Sequence, residues 1–178
     1  GTSTTPTSAG RVIPTAPRRA ELRALVPAPR PGILRRMSTR ATAIVYTGGR
    51  FHTSDAKTAH GLVRGPCRYD VRALVDAESA GRDAGVVLDG RSRGIPCFAT
   101  FDACLATLAT PPKYCVIGVA TSGGVLPDEM KRALLPLVQR GIGVVNGLHE
   151  FLSDDPAFVA ASRASGAELL DVRKPKPR

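Results

Sequence analysis

Beyond residue 40 the chain consists of short, almost uninterrupted apolar runs, many of them β-branched, divided by glycine-rich turns and by stretches of helical period. A strand with one wet face alternates apolar and polar residues. A strand covered on both faces does not, so runs of this kind belong to a sheet with a layer on either side. The strands read as Ala43 to Tyr46, Val71 to Val75, Ile95 to Phe98, Tyr114 to Val119, Gly143 to Val145 and Glu168 to Asp171. Helices read as Asp55 to Val63, Phe101 to Leu108, Pro127 to Gln139 and Pro156 to Ser165, with Ala80 to Gly85 as a compact turn. Met130, Leu134, Leu137 and Val138 share one helical face, away from most of Asp128, Lys131, Arg132 and Gln139. Asp155 before Pro156 makes an N-cap and first-turn pair, and Gly141 and Gly166 stand where helices should end.

Strand, helix and strand in repetition require right-handed crossovers, which lay the strands parallel with helices on both faces. The expected fold is therefore α/β, a Rossmann-like parallel sheet over residues 41–172. At 178 residues and 43% hydrophobic, the chain suits one such domain plus spare segments. The spare segments hold the net charge of +10. Residues 1–40 carry eight arginines and one acid, residues 41–170 carry thirteen charges of each sign, and residues 171–178 carry four bases and one acid. A basic chain invites a nucleic-acid reading. Here the part expected to fold is neutral, and with 4% aromatics and no tryptophan it lacks stacking platforms for single strands. Nucleic-acid binding is thus expected only through the tails.

Residues 1–40 are rich in Thr, Ser, Pro, Ala and Arg and read as a disordered or loosely packed extension, with a short helix near Ala20 to Leu25 stopped by Pro27, Pro29 and Pro31. That arginine-rich, acid-poor composition is also the composition of an organelle transit peptide; without import the expected location is the cytoplasm. Residues 173–178 read as a basic tail or the start of a linker. Cys67, Cys97, Cys104 and Cys115 form no CxxC pair, so a reducing setting and no metal are expected. The longest apolar runs fall well short of the roughly 20 residues of a membrane helix, so no membrane partner is expected.

In an open parallel sheet, ligands bind beyond the carboxyl ends of the strands, where strand order reverses. The loop after the first strand, Thr47 to Thr58, holds Gly48 and Gly49, which allow close backbone approach, and leads into a helix whose free amides favour phosphate or carboxylate. Lys57 and Thr58 would add a cation and a hydroxyl. The loop matches neither GxGxxG nor GxxxxGK[ST], so it points to an anion without identifying it; the alternative is a glycine turn capped by Ser54 or Asp55. Asp76, ending the second strand, either accepts from a ribose diol or caps the next turn. Arg50 and Arg82 are candidate clamps for a substrate carboxylate or phosphate. Gly123 and Gly124 suit a ligand-facing loop with room for adenine or a pantetheine-like chain. His149 and Glu150 offer a base and its orienter if they face one another, and a surface pair if they do not. His52 and His60 lack a metal-ligand partner at useful spacing.

Several motifs then occur in one order: Thr47-Gly48-Gly49-Arg50-Phe51, Asp55 to Arg64, Ala80-Gly81-Arg82-Asp83-Ala84-Gly85 with Leu88-Asp89-Gly90, Gly147 to Pro156, and Asp171-Val172-Arg173-Lys174-Pro175. Over about residues 41 to 176 the chain resembles the amino-terminal domain of a family that joins a Rossmann-like domain to a P-loop domain, and that includes D-glutamate N-acetyltransferases. The resemblance implies acetyl-coenzyme A or a nucleotide as ligand, acetyl transfer to a small amino acid, and a P-loop domain in cis or trans as partner. Self-association is compatible with it. No GxxxxGK[ST] occurs in these 178 residues, so the chain is expected to be either an excised domain or a relative whose catalytic half lies elsewhere. Two alternatives stand beside this reading. One is a non-catalytic scaffold using its basic tail; the other, resting on Asp76 alone, is an NAD-dependent oxidoreductase.

Overall fold

The computed structural model describes residues 40–175. The expected extension, Arg40 excepted, and the short helix expected near Ala20 to Leu25, together with residues 176–178, lie outside the described residues.

The chain runs β1 (Ala41–Tyr46), α1 (Lys57–Arg64), β2 (Tyr69–Val75), α2 (Ala84–Asp89), β3 (Cys97–Phe98), α3 (Phe101–Thr107), β4 (Tyr114–Ile117), α4 (Asp128–Gln139), β5 (Gly143–Asn146), α5 (Pro156–Ser165) and β6 (Leu169–Asp171). All strand pairs are parallel, in the order β3-β2-β1-β4-β5-β6. The fold is a Rossmann-like α/β sheet. Chain order reverses between β1 and β4, which therefore sets the crevice at the carboxyl edge.

Two apolar layers explain the uninterrupted runs. Ala43, Val45, Val71 and Leu74 pack with Ala56, Ala59, Val63 and Ala84 of the first two crossovers. Ile44, Ala73 and Val75 face the other way, toward Cys104, Met130, Leu134, Leu137 and Phe158 of α3, α4 and α5. Consecutive residues thus reach opposite cores, and neither face can be polar. Arg72, a polar residue within the β2 run, is the extra residue of a bulge: Ala43 pairs with Val71 and Ile44 with Ala73.

Several local readings change. Strand three is Cys97–Phe98 rather than Ile95 to Phe98, and strand four ends at Ile117 rather than Val119 because α1 crosses close above it, where Ala59 N–H donates to the Gly118 carbonyl at 2.9 Å. A Cβ on Gly118 would stand 2.7 Å from both the Ala59 Cβ and a Val45 methyl. The compact turn at 80–85 is instead the approach to α2. Asp83 is its N-cap and accepts from the amides of Gly85 and Val86, and also of Arg93 and Ile95 across the following loop. The helix is short, has glycine at its second position and contains two valines, all of which weaken the helical signal. Burial alone would raise the Asp83 carboxyl, but the amides of Arg93, Val86, Ile95 and Gly85 outweigh it and hold it below its ordinary value.

Candidate functional site

The loop after β1 is held from beneath by Asp76. This carboxylate, 1% exposed, accepts from the Thr47 hydroxyl at 2.6 Å and the Phe51 amide at 3.0 Å through Oδ2, and from the Ser79 amide at 3.0 Å through Oδ1. Asp76 is the N-cap of the 3-10 turn Ala77–Ser79. Of its two sequence readings, the structure shows the cap, and it adds a second job, bracing the glycine turn. A ribose diol would find these oxygens occupied and covered. The next cap is Thr53, whose hydroxyl accepts from the Asp55 amide at 3.3 Å; the cap is neither Ser54 nor Asp55.

Above the brace, Gly48 and Gly49 have φ of +58° and +81°, and among the described residues their amides donate to no protein acceptor. Tyr46 Oη lies 3.7 Å from where a Gly48 Cβ would stand. Burial raises the Tyr46 hydroxyl above its ordinary value, helped by Cys115 and Glu129 and opposed by Arg50, so at neutral pH it is a donor. Arg50 extends over α4, with Nη2 3.5 Å from Met130 Sδ, and so reaches across the point where strand order reverses. Lys57 and Thr58 are exposed on the first turn of α1. Arg82 is exposed beyond β2, where its backbone pairs with Cys97, the edge strand's first residue.

The loops after β1, β4 and β5 are laced together. Ala120 N–H donates to Asp55 O at 2.8 Å, and the Gly124 carbonyl accepts from His149 N–H at 3.0 Å and Glu150 N–H at 3.1 Å. Gly123 and Gly124 have φ of +65° and +69°, and the His149 side chain lies against Gly124, its Cδ2 2.5 Å from where a Cβ would stand. Gly124 is thus required twice, for its conformation and for the imidazole beside it.

His149 and Glu150 do not face one another, so Glu150 is not the orienter of His149 that the sequence allowed for. Glu150 turns away, accepting from the Leu126 amide at 2.6 Å and pairing with Lys131 of α4. The Lys131 hydrogen bond, opposed by burial and helped by the Leu126 amide, holds the Glu150 carboxyl below its usual range. The exposed His149 ring instead has Arg173 as neighbour, Nη1 to Nε2 at 3.4 Å, while Arg173 Nε donates to Gly147 O at 2.7 Å. Successive residues of an irregular loop point in different directions, and a dipeptide motif cannot reveal which.

Two organising residues carried no signal of their own. Buried Asn146 donates to Glu150 O at 2.7 Å and to Asp171 Oδ1 at 2.8 Å, while its Oδ1 accepts from Leu148 N–H. Asp171 also accepts from the amides of Leu152 and Ser153 at 3.0 and 2.9 Å. Burial would raise Asp171, yet these hydrogen bonds outweigh it and hold the carboxyl low. A polar residue at each of two neighbouring strand ends was the available clue.

Beside the glycine turn a cavity of about 380 Å³ opens between α3 and α4, beyond the ends of β1, β2 and β3. Among the described residues no group of three His, Cys, Asp or Glu is placed to hold a metal ion, and no helix is long and apolar enough to cross a membrane. Burial pushes the Cys97 and Cys104 thiols up to about 12 and Cys115 higher still, so these are core residues, not nucleophiles.

Residues 77–175 match the model of a Rossmann-like domain of unknown function, DUF1611_N. The chain belongs to this family. A D-glutamate N-acetyltransferase of Tritonibacter scottomollicae is 40% identical over 67 residues, covering 38% of this chain and 20% of that enzyme. A second enzyme of that name, from a Pseudoalteromonas species, is 35% identical over 63 residues, covering 35% of this chain and 19% of its own length. The matched part of the chain thus spans about a fifth of either enzyme. The crystal structure of a DUF1611 family protein from Anabaena variabilis superposes with a TM-score of 0.67 at 27% identity, over 78% of this chain and 38% of that one.

Proposed function

We propose that this domain binds acetyl-coenzyme A or a nucleotide in the crevice between β1 and β4, as the Rossmann-like part of a D-glutamate N-acetyltransferase-like protein. The observation that carries the reading is the pair of amides at Gly48 and Gly49 that have no partner among the described residues, held over the Asp76 brace where strand order reverses. Backbone N–H groups of this kind favour anions, and Arg50 and the first turn of α1 with Lys57 and Thr58 add to the same field. Gly123 and Gly124 line the neighbouring loop, and Arg82 is the second candidate for a substrate carboxylate. Similarity to two enzymes named D-glutamate N-acetyltransferase supports acetyl transfer as the chemistry of the complete protein.

In that reaction a base removes a proton from the acceptor ammonium, the freed amine attacks the thioester carbonyl, and the thiolate of coenzyme A leaves. His149 is the candidate base. Glu150 serves it indirectly, by fixing the loop to α4. The P-loop domain, in cis or trans, would supply the rest of the site. The oxidoreductase alternative depended on Asp76 meeting a ribose, and that carboxylate is committed inside the fold.

Titration calorimetry with acetyl-coenzyme A, ATP and NAD tests the reading. Saturable binding of acetyl-coenzyme A or ATP supports it; silence with all three, together with salt-sensitive binding of RNA or an acidic protein, favours the scaffold instead. In a protein extended to the length of the related enzymes, His149→Ala is expected to abolish acetyl transfer, and near-normal turnover removes His149 from the mechanism.

A further inference from the structure

We infer that the cavity between α3 and α4 receives the base of an adenine nucleotide whose phosphates lie against Gly48 and Gly49. The inference rests on the anion-binding reading of that glycine turn and adds where the ring of the ligand goes.

Tyr46 connects the two places. Its hydroxyl lies beside Gly48, while its ring lines the cavity and packs against Phe101 at a centroid distance of 4.8 Å and a tilt of 48°. A ligand held at the glycine turn therefore has the cavity as its neighbouring compartment. The volume of about 380 Å³ falls within the range of roughly 300–1,000 Å³ usual for small-molecule pockets. Its walls are largely apolar and include Val75, Ala133, Pro136 and Leu137, which suits a flat ring better than a dicarboxylate or an amide-rich pantetheine arm. The rim is cationic. Arg140 is engaged by Asp102 at 2.9 Å, whereas exposed Arg132 has no acceptor among the described residues and is free to meet a phosphate or stack on a base. The end of β2 points the same way. Asp76 is closed off, and the residue before it, Val75, turns an apolar side chain toward the cavity, so the ring side of the ligand is offered hydrophobic surface there and no ribose acceptor.

The test uses the full 178-residue chain and two probes, ATP and tripolyphosphate, which shares the phosphates but lacks the ring. Ala133→Trp fills the cavity from α4. It is expected to weaken ATP by about tenfold or more while leaving tripolyphosphate within about twofold. Equal ATP affinity in the native chain and in Ala133→Trp overturns the ring placement and leaves the phosphate reading standing; no binding of either probe to the native chain overturns both. A second measurement needs no variant. In amide NMR spectra of the native chain, shifts caused by ATP but not by tripolyphosphate should cluster on Phe101, Ala133 and Leu137, and a cluster on Gly123 and Gly124 instead refutes the assignment.

Discussion

Asp76→Ala offers the sharpest test of how the glycine turn is built. The substitution removes a 1% exposed carboxylate and strands three donors at once: the Thr47 hydroxyl and the amides of Phe51 and Ser79. A hydrogen bond to a charged group contributes about 1.5–3 kcal/mol, and a buried donor left unpaired costs about 1–3 kcal/mol. These terms overlap, and the Thr47 hydroxyl can rotate, so the net expected loss is about 3–5 kcal/mol. Against a usual domain stability of about 5–15 kcal/mol, that is a large fraction. Asp76→Asn keeps the shape but points an NH2 group at a donor. Thr47 can turn to accept from it, while a backbone amide cannot, so a smaller loss of about 1–3 kcal/mol is expected. Urea unfolding followed by circular dichroism measures both. Thr47→Val closes a double-mutant cycle, in which the two side chains should be strongly non-additive. If Asp76→Ala unfolds within about 0.5 kcal/mol of the native chain, as ordinary surface substitutions do, the brace does not hold the loop and the carboxylate is free for another role.

Gly124→Ala forces a left-handed conformation on a residue with a Cβ, costing about 1–2 kcal/mol, and drives that Cβ into His149 at 2.5 Å; a lowered melting temperature with a displaced His149 imidazole resonance is expected, and an unmoved resonance contradicts the contact. Gly118→Ala meets Ala59 and Val45 at 2.7 Å, in a closed core where neither can retreat; overpacking of about 1–3 kcal/mol should appear in denaturant titration. Acid should weaken the domain through Asp83 and Asp171, whose carboxyls are held below their ordinary values in the folded chain. Their stabilisation is present above the unfolded carboxylate value of about 3.9 and is lost as pH falls through the lower folded values. Stability measured from pH 6 to pH 2 should therefore drop below about pH 4, less steeply in Asp171→Asn than in the native chain.

The sheet was legible because its signal is local. Residues such as Ile44 and Val45 must both be apolar when consecutive side chains reach opposite cores, and this leaves an unbroken run in the sequence. Caps are local too, and Asp155 with Pro156 and Gly166 behave as their positions imply. The helix at Ala84–Asp89 leaves little local signal because its main determinant, Asp83, is also tied to residues ten and twelve positions later. Ranking Asp76 among ligand contacts, and pairing His149 with Glu150, required directions that no local pattern contains.

The amino-acid sequence by itself determined the alternation of strand and helix, the burial of both sheet faces and the glycines at the strand ends, because each follows from the chemistry of neighbouring residues. Only the tertiary structure decided which groups are spent holding the protein together and which remain available. Asp76, Glu150 and Asp171 find donors as far as 29 residues away, while the amides of Gly48 and Gly49 find none among the described residues. Whether a polar group is satisfied depends on what the fold brings within about 3 Å of it.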